Sequence, residues 1–276
     1  MVLVLGLTGI FGKLISLSAI HLVWYRMLIA SVSLILFLAY KKKLFTLNKK
    51  DFIKIMGVGI LVTTHWLCFF EAIKVSTISI AVLCLATSSL FSALIEPIFF
   101  KRRILYYEVI MGIIVILCLA YIVGAETQYI LGYFYGIMAA LLGTLFTLFN
   151  AKYIQKLGAT QITMVEMLTG VIIITVIMLA KNDYTVFNTL ISIKDLIYLI
   201  VLGTICTALV FVWMTEIMKH ITPYSLIMAI NLEPIYSIIL ALLIFGENEL
   251  MSLSFYIGSA VIITIVFLDG YIKNKQ

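Results

Sequence analysis

The sequence predicts an all-α integral membrane protein: ten transmembrane helices arranged as two inverted-topology five-helix repeats. Three observations carry this expectation. The composition is unfit for water, the apolar runs are long enough to cross a bilayer, and the two halves of the chain match one another. Of 276 residues, 64% are hydrophobic and 12% charged, with a mean hydropathy of +1.20. Soluble domains run at roughly 45–50% apolar and about 25% charged, so 19 basic and 13 acidic residues cannot clothe a water-soluble surface of this size. The runs 109–125 and 253–268 carry no charge at all. Barrel strands instead alternate apolar and polar over ~10 residues. Lipid offers no partner to backbone amides, so a continuous apolar run must satisfy its own as a helix.

The elements follow in order from the polar breaks. Span 1, 2–18, is hydrophobic from Val2 and holds Gly9, Gly12 and Lys13. No cleavable signal pattern is recognisable, so it reads as a signal-anchor, or as the continuation of a start lying upstream. Span 2, 21–40, contains Arg26 and stops at Lys41-Lys42-Lys43; span 3, 53–71, contains His65. The break Lys74-Val75-Ser76 leaves room only for a tight turn into span 4, 76–100, which Lys101-Arg102-Arg103 closes. Span 5 is 106–125. Span 6, 129–149, repeats Gly132, Gly136 and Ala140 every four residues, a smooth ridge for close helix contact. Span 7 is 160–180 and span 8 is 196–216. Span 9, 222–245, carries Asn231, Glu233 and Pro234, and span 10, 253–271, follows Gly246-Glu247-Asn248-Glu249. Most spans are near the ~20 residues that cross ~30 Å of hydrocarbon. Cys68, Cys84, Cys118 and Cys206 all fall inside apolar runs without metal-ligand spacing and read as small packing residues.

The Lys/Arg distribution orients the chain. With a cytoplasmic amino terminus, the inside breaks carry Lys41, Lys42, Lys43, Lys49, Lys50, Lys54, Lys101, Arg102, Arg103, Lys152, Lys156, Lys219, Lys273 and Lys275. The outside breaks carry Lys74, Lys181 and Lys194. Such a bias sets topology, so both termini are expected in the cytoplasm and the protein in the plasma (bacterial inner) membrane. It also accounts for the net charge of +6, which is therefore no sign of nucleic-acid binding.

Sliding the chain against itself by 145 residues aligns Glu71 with Glu216, Lys74 with Lys219, Thr77 with Thr222, Ser92 with Ser237 and Phe100 with Phe245. The basic turn 101–103 then falls against the acidic turn 246–249, as expected if one faces inside and the other outside. An odd number of helices per half forces opposite orientations, so the repeats are 1–125 and 129–271, an arrangement typical of secondary transporters. Asn231-Leu232-Glu233-Pro234-Ile235-Tyr236, then Phe245-Gly246-Glu247 and Gly258, resembles the signature of the EamA-type ten-helix members of the drug/metabolite transporter superfamily. Glu71-Ala72-Ile73-Lys74 with Ser76, and Gly9, Phe11, Lys13, Arg26 and Ala30, are similar to its helix 3–4 turn and first two helices. Lys101-Arg102-Arg103 departs from the Gly-Glu many members carry there. The resemblance implies alternating access and export of a small metabolite, without naming it.

Charges inside spans cost ~2.5–3.5 kcal/mol at a helix centre and are functional candidates by default. Arg26 is a permanent cation suited to a carboxylate or phosphate. Lys13 offers a second cation that can also exchange a proton. Glu233, halfway along span 9, is a candidate proton carrier, and Pro234 beside it frees a backbone carbonyl one turn earlier; with Asn231 they form a polar, kinked segment. The static alternative is that Glu233 partners Lys13 or Arg26. Glu96-Pro97 repeats the dipeptide seven residues out of register and reads as interfacial and structural. His65 and Phe69 share a face of span 3, and the bland reading of the histidine is hydrogen-bonded packing. Trp66, Phe146, Trp213 and Tyr236 are candidates for an aromatic wall. Glu166 is either buried or reaching inward. Glu71 and Glu216 stand at matching helix ends, where Lys74 and Lys219 make them gate candidates.

Three function classes compete. The favoured one is a secondary active exporter of a small polar, zwitterionic or anionic metabolite such as an amino acid, proton-coupled and working as a monomer or homodimer, with no cofactor and no metal. A small-multidrug-type exporter of hydrophobic cations needs a buried carboxylate early in the chain, where Lys13 stands instead. An intramembrane enzyme is disfavoured because zinc-protease and serine-hydrolase motifs are absent and Asp269 is the one aspartate within a span, near its end. Alkaline phosphatase, active only once exported, should be active when fused after Asn182 and inactive when fused after Lys50. The reverse pattern would invert the topology.

Overall fold

The computed structural model describes the backbone of residues 1–42, 47–188 and 190–274, the side chains at 188, 248, 266, 269, 270, 273 and 274 excepted. Lys43 and Lys275 of the charge count, and the side chains of Asn248, Asp269 and Lys273, lie outside the described residues. Every regular element among the described residues is helical. Besides short 3-10 turns at Thr127–Tyr129 and Gly246–Glu249, these are in chain order α1 (Val2–Leu14), α2 (Ala19–Tyr40), α3 (Lys49–Val75), α4 (Ile78–Leu85), α5 (Ser88–Phe100), α6 (Tyr106–Ala125) and α7 (Ile130–Tyr153). There follow α8 (Ala159–Ala180), α9 (Thr185–Asn188), α10 (Ile193–Gly203), a π-helical turn over Thr204–Leu209, α11 (Val210–Ile217), α12 (Pro223–Ile230), α13 (Glu233–Phe245) and α14 (Leu253–Asn274). Among the described residues, eight segments are long and apolar enough to cross a membrane, counting α4–α5, α10–α11 and α12–α13 as one each; shorter apolar stretches lie at Val2–Leu14 and Leu253–Ile265. The protein is an all-helical membrane bundle.

Three departures from uniform spans matter for function. Span 1 ends at Leu14 rather than 18, because Ile15 is extended and Ser16 gives its amide (3.1 Å) and hydroxyl (2.5 Å) to Asp195. Its 13 helical residues reach only about 20 Å. Span 8 widens into the π turn, where Thr207 Oγ1 donates to the Leu202 carbonyl five residues back (2.6 Å). Spans 4 and 9, read as single helices, are each broken at mid-length.

The two breaks occupy the same place under the 145-residue shift: Ile78–Leu85 falls on Pro223–Ile230, and Ser88–Phe100 on Glu233–Phe245. Thr77 and Thr222 cap the two short helices alike, each accepting from the amide three residues on (3.2 Å in both). Proline explains only one break. Pro234 offers no N–H to the Ile230 carbonyl and its ring crowds that carbonyl. In span 4 the break needs no proline. There the amides of Ala86 and Thr87 bond three residues back (3.1 Å each), and the hydroxyls of Thr87 and Ser89 take the carbonyls of Cys84 (2.7 Å) and Ala86 (2.8 Å).

Packing brings the breaks together. α4 lies against α13 and α5 against α12, so the two broken spans run antiparallel and their interruptions meet at mid-height. α3 packs along α7 and α8, α2 along α8 and α10, and α6 along α14. The small-residue ridge of α7 is used as expected, Gly132 meeting Ser76 and Gly136 meeting Cys84, where an added Cβ would stand 2.6 Å from the cysteine Cβ. On α3, a Cβ at Gly59 would sit 2.7 Å from Thr169 Cβ and 3.0 Å from Glu166 Cα, whereas one at Gly57 would meet nothing within 4 Å. Overpacking of this kind costs roughly 1–3 kcal/mol. Gly59→Ala should therefore lower the melting temperature in detergent, while Gly57→Ala should leave it unchanged or raise it through helix propensity.

Candidate functional site

A cavity opens where the two breaks meet, lined from both halves of the chain. Leu85 and Ser88 border it from the first break, Ile230, Asn231 and Glu233 from the second, and Thr8, Arg26, His65 and Thr144 from the surrounding helices. It offers about 90 Å³ to water centres. A water needs roughly 10–15 Å³ on that measure, so the space suits several waters or a small solute.

Arg26 is the cation of this wall. It is 1% exposed, yet one guanidinium nitrogen, Nη1, has no hydrogen-bond partner among the described residues. Nε donates to Thr207 Oγ1 (2.6 Å), whose own proton goes to the Leu202 carbonyl. The π turn of span 8 thus aims a hydroxyl at the arginine. Close packing makes this reach possible, since a Cβ on Gly203 would stand 3.1 Å from the Arg26 carbonyl. The guanidinium also lies 3.8 Å above the Trp66 ring and 5.4 Å from Phe70. Cation–π contact stabilises a desolvated guanidinium by up to about 2 kcal/mol, but satisfies no N–H.

Glu233 opens α13, 5% exposed, and Asn231 stands at the break beside it, 4% exposed. Among the described residues, the Asn231 side-chain amide makes a single long contact, donating to Met228 Sδ (4.0 Å). Thr8, also on the wall, has no partner for its Oγ1 among the described residues. Opposite lies an aromatic face. Trp66 meets Phe211 edge-on (4.8 Å between centroids), Phe146 stacks on Phe211 (5.9 Å), and His65 meets Phe146 at 5.3 Å and Phe69 at 6.4 Å. His65 Nδ1 donates to the Ala139 carbonyl (2.7 Å), since a carbonyl can only accept. That bond fixes the ring and turns Nε2 into the nitrogen available to a solute.

Of the residues singled out from the sequence, Arg26, His65, Phe69, Asn231 and Glu233 come together on this wall, as do Trp66 and Phe146. Lys13 does not. It pairs with Glu249 (2.6 Å) and sits over the Phe245 ring (4.8 Å), so the expectation of two cations at the site reduces to one. Its carboxylate partner is therefore Glu249 and not Glu233. Trp213 and Tyr236 are 49% and 37% exposed and lie off the wall, because Phe211 takes the inward position two residues before Trp213. Of the gate candidates, Glu216 and Lys219 pair within one turn (2.6 Å), whereas Lys74 Nζ donates a hydrogen bond to the Ile15 carbonyl (2.7 Å) and forms no ion pair with Glu71 among the described residues. Glu96, near the end of α5, is buried within the bundle, at 3% exposure. Glu166 is buried as well, at 0%, away from the cavity wall. Thr8, Thr207 and Phe211 were not singled out from sequence; a threonine or phenylalanine within a span gives no signal of which way it faces.

Comparison with known proteins now decides the family. The EamA-like transporter family matches residues 1–124 and again residues 130–269, nearly the whole chain in two consecutive stretches. The chain belongs to the EamA-like transporter family. A relative from Haemophilus influenzae, described as an uncharacterized transporter, is 26% identical over 155 residues, 53% of this chain and 51% of that protein. The chain thus matches about half the length of that relative. A solved structure described only as "Crystal structure of protein" superposes with a TM-score of 0.69 at 14% identity, covering 96% of this chain and 92% of that one. That likeness concerns the fold alone. For this EamA-like transporter, family and fold agree on a multi-pass membrane bundle, and the break-lined cavity is its candidate solute site.

Proposed function

We propose that the protein is a secondary active transporter which carries a small zwitterionic or anionic metabolite, such as an amino acid or a related compound, out of the cell. In this reading two inverted five-helix repeats, 1–125 and 129–271, alternate access to the central cavity, with protons as the coupling ion and both termini in the cytoplasm of the inner membrane. The observation that carries the substrate class is the buried Arg26 with an unsatisfied N–H on the cavity wall. A buried donor without a partner costs about 1–3 kcal/mol, more when charged, and a solute carboxylate or phosphate would remove that cost through a charge-assisted bond. Glu233 and Asn231 can receive the ammonium group of a zwitterion, and the aromatic face can take an apolar side chain. The match of the two breaks under the 145-residue shift supports the repeat, because equivalent breaks facing one another are what inverted repeats produce.

The aromatic face together with Glu233 would also suit a hydrophobic cation, but Arg26 on the same wall repels one. Substrate is sought by comparing the medium of cells expressing the protein with that of a null strain. For the compound that accumulates, Arg26→Ala and Glu233→Gln should each reduce flux in vesicles at least about tenfold while inserting normally, and Arg26→Lys should recover only part, since an ammonium lacks the planar fork. Normal transport by both Arg26→Ala and Glu233→Gln would sink the proposed site.

A further inference from the structure

Each of the two broken spans begins at a buried carboxylate supplied by the other half of the chain. Glu249, in the turn after α13, is fully buried. Its Oε1 accepts from the Ile78 amide (3.1 Å) and Lys13 Nζ (2.6 Å), and its Oε2 from the Ser79 amide (3.2 Å) and hydroxyl (2.9 Å). It therefore holds the first turn of α4. Glu96, near the end of α5, does the same for α12: Oε2 accepts from the Tyr224 amide (2.8 Å) and Ser92 Oγ (3.2 Å), and Oε1 from Arg102 Nε (3.3 Å). Arg102 in turn donates to Glu108 (2.9 Å).

The held positions are equivalent under the 145-residue shift, Ile78 and Ser79 falling on Pro223 and Tyr224. The carboxylates that hold them are not, since Glu96 falls on Ala241 and Glu249 on Ile104. The same clasp is thus built twice from unrelated positions. Its chemistry suits the place: the first amides of a helix have no intrahelical acceptor, and a carboxylate answers both those amides and the helix dipole. The antiparallel packing of the two spans puts the clasps at opposite ends of the bundle. Leu85 and Ile230, the last residues of α4 and α12, line the cavity between them. Each eight-residue helix, about 12 Å long, therefore joins a clasp at one end to the cavity at the other.

We propose that Glu249 and Glu96 are the latches of the two gates, Glu249 closing the cavity toward one face of the membrane and Glu96 toward the other. This deepens the transport reading and rests on it. Opening a face releases that clasp and lets its short helix swing from the opposite half, while the other clasp holds. The Glu249 end has further ties between the halves, Ser16 with Asp195, His21 with Asp183 (2.7 Å), and Tyr25 Oη to the Val186 carbonyl (2.8 Å). The Asp183 carboxyl is held down at about 2 by donation from the Thr185 hydroxyl and amide and by His21, so it stays ionised at physiological pH.

The test needs no substrate. In the full-length chain with its four cysteines replaced by alanine, a reporter cysteine at Thr8 on the cavity wall is labelled with a membrane-impermeant maleimide in right-side-out and inside-out vesicles. Glu249→Gln should raise labelling from one face about tenfold, the shift in an equilibrium that 1.4 kcal/mol produces, and Glu96→Gln should raise it from the opposite face. If either variant fails to fold, Ser79→Ala and Ser92→Ala, which each remove one bond of a clasp, must show smaller shifts in the same opposed directions. Shifts toward the same face, or unchanged labelling in folded protein, overturn the latches. Because labelling is read apart from flux, opposed shifts with Arg26-independent transport would reject the substrate site and keep the latches.

Discussion

The rest of this structure depends on one constraint: hydrocarbon offers nothing to a backbone N–H or C=O, so a helix interrupted in the membrane must have every freed group answered by protein. The two broken spans show how the chain meets it. Hydroxyls of Thr87 and Ser89 take carbonyls at the first break. Thr77 and Thr222 cap the short helices, and buried Glu249 and Glu96 reach across from the other half to their first amides. Buried carboxylates then require cations, which places Lys13 and Arg102 where they are. Much of the polar inventory of the spans is thereby explained by helix ends.

The cavity residues stand outside that pattern. Arg26, one of the residues lining the cavity, is supported by Thr207 and by the Trp66 ring, yet its Nη1 has no hydrogen-bond partner among the described residues. The cost of burying a charge is thus only partly offset within the protein. A scaffold would be expected to complete such a network, because a half-satisfied polar group is less favourable than an apolar one. An incomplete one beside a solute-sized space fits a protein whose ligand supplies the missing acceptor. The π turn of span 8 belongs to the same economy of form, since π-bulges recur at functional positions and this one aims Thr207 at the arginine.

How far the site was legible follows from what each residue type discloses. Arg26, Glu233 and Asn231 could be found because charge and amide are rare in apolar runs. Lys13 looked equivalent to Arg26 and is not, because the carboxylate that neutralises it lies 236 residues away in a turn that sequence places outside the membrane. Trp213 and Phe211 could not be told apart, since in a helix apolar toward both lipid and core no periodicity marks the inner face. The clasping role of Glu96 was hidden for a related reason. Its register fails to match Glu233, and a self-comparison detects repeated positions, not a repeated contact made from different ones.

The sequence by itself determined the solvent, the helical class, the approximate spans and the short list of buried charges, because these follow from composition and from the length of apolar runs. Only the tertiary structure decided where spans 4 and 9 break, which of the buried charges are consumed by helix ends, and which ones line the cavity. Those outcomes depend on partners more than a hundred residues apart, and no local pattern encodes which distant amide a carboxylate will meet.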